Sequence, residues 1–103
     1  MRIFVAALTA GLIAASGVSA GERLEDRDYL RLARCAGLTA GAGGDASAID
    51  AVLRTANRGR AMGTRDRANV RRSAALHEMR GARGEERARL EGELSARCAL
   101  PAA

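Results

Sequence analysis

Two cysteines, Cys35 and Cys98, limit what this chain can fold into more than any other residues in it. Cys35 lies in Tyr29-Leu30-Arg31-Leu32-Ala33-Arg34-Cys35-Ala36, where apolar and charged side chains follow a helical rhythm, and Cys98 closes the last helical stretch. With no third cysteine present, each can pair within the chain only with the other. Closing the loop between positions 35 and 98 is worth about 4 kcal/mol if its effect is to restrict the unfolded chain. The folded state needs such help. After residue 20 the chain offers nine Leu, one Ile and two Val, with Tyr29 as its single aromatic. Side chains so few and so small cannot fill a large core, and short exported domains in that position commonly rely on disulfides.

The N-terminus reads as an export signal. Arg2 supplies a positive start, Ile3 to Ala15 is apolar and uncharged, and Val18-Ser19-Ala20 places small residues just before a cleavage point. The apolar run is shorter than a bilayer-spanning helix requires. Residues 1–20 are therefore expected to be a cleaved signal peptide. Residues 21–103 then form one small helical domain, periplasmic or secreted, and not a transmembrane protein after cleavage. Cleavage of the 103-residue chain after Ala20 leaves 83 residues with 16 Arg, no Lys and 12 acids, a net charge of +4.

Periodicity predicts an all-α fold. A first helix is expected from about Glu22 to Gly37, with Leu24, Tyr29, Leu32, Ala33, Cys35 and Ala36 on one half of its wheel and Arg23, Arg27, Arg31 and Arg34 on the other. Gly37 is expected to end it. Leu38 to Ala46 reads as a glycine-rich connector; it lacks the Lys-Ser/Thr of a phosphate loop. A second helix should open at Ser47-Ala48-Ile49-Asp50, with Ser47 as cap and Asp50 bonding back to it. Ile49, Val52, Leu53 and Ala56 give it an apolar face, which should fade near Gly59 to Gly63. A third helix, capped by Thr64 or Asp66, carries Ala75, Leu76 and Met79. Gly81 and Gly84 interrupt the pattern before Leu90, Leu94 and Cys98 resume it, and Pro101 stops it. If both cysteines sit at the C-terminal ends of their helices, the first and last arms must run the same way. The expectation is a small bundle of three arms, the third kinked or broken near Gly81 to Gly84, giving three to four helices and one disulfide.

The sharpest charge asymmetry falls between Arg58 and Arg72. Arg58, Arg60, Arg65, Arg67, Arg71 and Arg72 share that segment with one acid, Asp66. Guanidinium groups suit forked contacts with phosphate or carboxylate, so these six are the candidate anion-binding residues. Partners outside the cytoplasm would be an envelope protein or an anionic envelope polymer. Nucleic acid is not expected, because the segment lacks aromatics on which bases could stack. Beyond it, Glu78, Glu85, Glu86, Glu91 and Glu93 alternate with arginines at helix-surface pairing distances.

No constellation points to catalysis or to a cofactor. His77 is the sole histidine, and Met79 two residues on faces another side of a helix, so the pair is poorly placed to hold a metal. Glu22, Glu25, Asp26 and Asp28 fit a helix N-terminus better than a general acid and base, and Ser47, Ser73 and Ser95 suit capping or a polar surface.

Two resemblances bear on function. Ile49-Asp50-x-x-Leu53 with Arg58 resembles a fragment of the all-helical chorismate mutases, some of them exported and disulfide-linked. Those enzymes use a lysine, which this chain lacks, so the likeness brings no catalytic residue with it. More broadly, Tyr29 to Cys35, the glycine-rich connector and Ala96-Arg97-Cys98-Ala99 resemble small exported two-cysteine helical proteins of GC-rich proteobacteria. A kinship in size and bridging with periplasmic acid-stress chaperones implies a holdase as the alternative. The expectation is an exported helical binding or structural protein of the cell envelope, not an enzyme. A periplasmic stress holdase or protein inhibitor stands behind it, and a small enzyme of chorismate mutase type behind that.

Overall fold

Gly37 does not end the first helix, and the reason governs the rest of the architecture. The structure, a computed structural model, describes residues 24–100, so the expected signal peptide lies outside the described residues. Four helices follow one another: α1 (Asp26–Gly41), α2 (Ser47–Ala56), α3 (Met62–Gly81) and α4 (Gly84–Arg97). Both Gly37 and Gly41 are helical, one turn apart on the side of α1 that meets α3. A β-carbon on Gly37 would fall 2.1 Å from the Arg72 carbonyl oxygen, and one on Gly41 would fall 2.5 Å from that of Leu76. The two backbones thus touch where a side chain would separate them. Glycine costs helix propensity at both positions, but it lets a chain poor in large side chains gain close contact instead.

Those contacts also set direction. Gly37 meets Arg72 and Ala75, and Gly41 meets Leu76 and Met79, so α1 and α3 run parallel. The intervening α2 runs back between their ends, its Asp50 joined to Arg72 and its trailing Asn57 to Tyr29. The break expected at Gly81 to Gly84 is complete. Ala82 and Arg83 are extended, Gly84 adopts φ of +56°, and α4 returns antiparallel to α1, with Glu93 beside Arg34 and Arg97 beside Arg31.

The fold is therefore all-α, a bundle of four helices among the described residues with its bridge formed: the sulfurs of Cys35 and Cys98 are 2.07 Å apart and their Cα atoms 5.6 Å. Cys98 follows α4 directly, but Cys35 stands mid-helix because α1 continues six residues beyond it to Gly41. An antiparallel α4 of 14 residues, about 21 Å long, reaches that midpoint, which removes the need for parallel first and last arms.

The apolar side chains divide into two groups. Tyr29, Leu32, Ala33, Cys35 and Ala36 of α1 pack with Ile49, Leu53 and Ala56 of α2 and Ala68 of α3. Leu38, on the following turn of α1, joins Ala75, Met79, Ala82 and Leu90. The connector is thus shorter than its glycines suggest: Leu38 is fully buried inside α1, and only Ala42 to Ala46 link it to α2. Nor does Ser47 cap α2. It is the first helical residue, its N–H donates to the Asp45 carboxylate at 2.9 Å, and Asp50 turns away to Arg72. The third helix begins at Met62, so Thr64 is a buried residue within it rather than its cap. None of the described helices is long and apolar enough to cross a membrane.

Gly37→Ala should force α1 from α3 and destabilise the fold by about 2 kcal/mol or more. Gly92→Ala in α4, where an added β-carbon meets nothing within 4 Å, should instead stabilise it by about 1 kcal/mol. Urea denaturation of both variants measures this; changes of like sign would contradict the contact.

Candidate anion-binding site

The arginines at positions 58–72 do not form one surface. At about 100° per residue, Arg65 and Arg72 share one side of α3, while Arg67 and Arg71 share another. The Arg72 fork grips Asp50 of α2 through Nε at 3.1 Å and Nη2 at 2.8 Å. Arg60 is the most buried of the set. Its guanidinium lies 4.6 Å above the centre of the Tyr29 ring, donates to the Ala56 carbonyl at 2.7 Å and to Asp26 at 2.6 Å, and also reaches the Leu24 carbonyl. These two arginines hold helices together. Arg58, Arg65 and Arg67 are exposed, Arg67 donating to the Thr64 hydroxyl at 3.4 Å. Arg71 faces elsewhere.

It faces a groove of about 500 Å³ that the sequence reading did not anticipate, lined by Arg27, Asp28, Arg31 and Arg34 of α1, Arg71 of α3, and Glu93 and Arg97 of α4. Three steps bring these side chains together. Arg27, Arg31 and Arg34 form one stripe of α1, opposite Tyr29, Leu32, Ala33 and Ala36. Contact through the glycines sets α3 beside that stripe. The disulfide then brings in α4, placing Arg97, the residue before Cys98, next to Arg31, which donates to the Arg97 carbonyl.

The groove's charges divide unequally. Arg34 is committed to the fold: its Nε and Nη2 bind Glu93 at 2.5 and 2.9 Å, and its Nη1 binds Glu78 at 3.1 Å. Hydrogen bonding from Arg34 is the largest influence on Glu93 and holds its carboxyl below the usual glutamate range; the same pairing raises the pKa of Arg34. Among the described residues, Asp28 has an ion-pair approach from Arg31 at 3.6 Å. Arg27 is largely solvent-exposed and approaches Glu25 at 3.7 Å. Among the described residues, Arg71 and Arg97 donate no guanidinium hydrogen to a carboxylate. Five guanidinium groups face two carboxylates, and one of those carboxylates is already held from both oxygens.

A second hollow of about 280 Å³ between α2 and α3 is lined by Asp50, Arg54, Asn57, Asn69, Arg72 and apolar neighbours, with Asp50 and Arg72 already joined. His77 is exposed, and among the described residues no three His, Cys, Asp or Glu side chains gather as metal ligands would. Compared with protein-family models, curated proteins and solved structures, the chain matches none. The fold and the groove together define a small, disulfide-bridged, all-α protein with an arginine-lined surface.

The Arg34–Glu93 pair is partly buried and should contribute about 1 kcal/mol. Because the Glu93 pKa is lower in the fold than in the unfolded chain, this contribution is complete above the ordinary value of 4.5 and is lost as pH falls through the folded value. Glu93→Gln should therefore be less stable than the natural chain at pH 7, with the gap closing as pH falls below 4.5 and through the lowered folded value. A gap unchanged across that window, measured by thermal unfolding, would show that the pair is not ionic.

Proposed function

We propose that this is an exported helical protein of the cell envelope that works by binding, and that it engages anionic partners through arginine-bearing surfaces. One observation carries the reading: guanidinium groups from three helices converge on one groove without a matching set of carboxylates. An ordinary solvated helix surface pairs its charges, as Arg87 with Glu91 and Arg89 with Glu86 do on α4. Export is supported by the leader-like residues 1–20 and by a disulfide, which persists in oxidising compartments.

Binding fits the groove's chemistry better than catalysis. Its arginines stay charged at any physiological pH, and Glu93, with a lowered pKa, stays ionised and is unsuited to act as a general acid. The surface is open and polar, whereas small-molecule sites are mostly enclosed and apolar.

Such a protein should co-sediment with vesicles containing anionic lipid and not with neutral ones. The bound fraction should fall as salt rises from about 50 mM to several hundred millimolar, since exposed charge contacts are screened over that range. Equal sedimentation with both vesicle types would overturn the proposal.

A further inference from the structure

From the walls of the groove we infer that its ligand is a phosphate group presented by a larger molecule, bound by Arg27, Arg31, Arg71 and Arg97. This rests on the anion-binding reading above and adds to it a place and a chemistry. A carboxylate is planar and offers two oxygens in one plane, which one guanidinium fork satisfies. The groove offers something different. Its guanidinium groups stand on α1, α3 and α4, so they approach an occupant from three sides. A terminal phosphate has three oxygens arranged around phosphorus, one for each wall, and carries nearly two negative charges near neutral pH.

Charge points the same way. With Arg34 already paired, Arg27, Arg31, Arg71 and Arg97 stand against Asp28 and the Glu25 that approaches Arg27, a surplus of two positive charges. One carboxylate would neutralise half of that, whereas a phosphate monoester or pyrophosphate linkage neutralises most or all of it. Arg34 is excluded from the binding set because Glu93 and Glu78 already hold it. Arg31 keeps the groove's shape by bonding the Arg97 carbonyl and lends its remaining donors. The openness of the groove and the absence of apolar residues from its lining suit a phosphate carried on a headgroup or polymer whose bulk stays outside.

The test uses the disulfide-bonded protein and calorimetric titration with inorganic pyrophosphate, with citrate as the carboxylate control. Pyrophosphate is expected to bind at one site and more tightly than citrate. Arg71→Gln and Arg97→Gln should each weaken it at least about fivefold, while Arg65→Gln and Arg67→Gln should leave it within about twofold. Both groove arginines are exposed, so circular dichroism should show all four variants folded. Absent pyrophosphate binding, citrate binding equal to it, or groove variants that bind like the natural chain would each overturn the inference. Vesicles of phosphatidic acid identify the source. Competition with pyrophosphate for the groove supports a lipid-borne phosphate, and pyrophosphate binding without competition supports a soluble or polymeric one. If vesicle binding is lost in the Arg65 and Arg67 variants but kept in those of Arg71 and Arg97, the groove is overturned and the general anion-binding reading survives. If neither vesicles nor pyrophosphate bind, both fail.

Discussion

The contact of the α1 and α3 backbones at Gly37 and Gly41 is the constraint on which the other features depend. A chain with so few large apolar residues cannot hold two helices at the usual spacing, because the gap would be left unfilled. Removing two side chains closes the gap and lets main-chain atoms take their place. The same contact fixes α1 and α3 as a parallel pair, which forces α2 to be the return between them. It also sets α3 alongside the arginine stripe of α1, so that Arg71 lines the same groove.

What the glycines do for α3, the disulfide does for α4. Leu90 is the one buried residue of α4, with Leu94 partly covered beside it. So little burial holds a 14-residue helix weakly, and the bond from Cys98 to the middle of α1, together with the grip of Arg34 on Glu93, secures its far end. The N-terminal end of α1 is fastened differently, by Arg60 lying over Tyr29 and lacing Leu24 and Asp26 to the turn after α2. Covalent, ionic and cation–π contacts thus supplement apolar area in a molecule whose sequence provides little of it.

Much of this was legible in the residues, and the failures share a cause. The helical faces were readable because periodicity reports them directly: Tyr29, Leu32, Ala33, Cys35 and Ala36 are buried together, as are Ile49, Leu53 and Ala56. The cysteine pairing followed from there being only two. Gly37 is deceptive because a glycine at a helix end and one at a helix crossing look alike in sequence; only the neighbour's backbone tells them apart. The same uncertainty shortened α1 and misplaced Cys35 at its end. Among the arginines, nearness in sequence is not nearness in space: Arg71 and Arg72 point to different sides of α3. A better signal was present in Arg27, Arg31 and Arg34 on one stripe, with Arg97 beside a cysteine that had to reach Cys35. What the sequence alone could not provide was Arg71, whose approach depends on how α1 and α3 cross.

Labour is divided in this fold: close backbone contact sustains α1 and α3, while the disulfide moors α4 to them. Native-state hydrogen exchange of the oxidised and the reduced protein tests it most directly. Reduction should strip protection from the amides of Gly84 to Arg97 and leave Leu32 to Leu38 and Ala68 to Met79 slow to exchange. Simultaneous loss of protection in all four helices, or an α4 as protected after reduction as before it, would contradict the account.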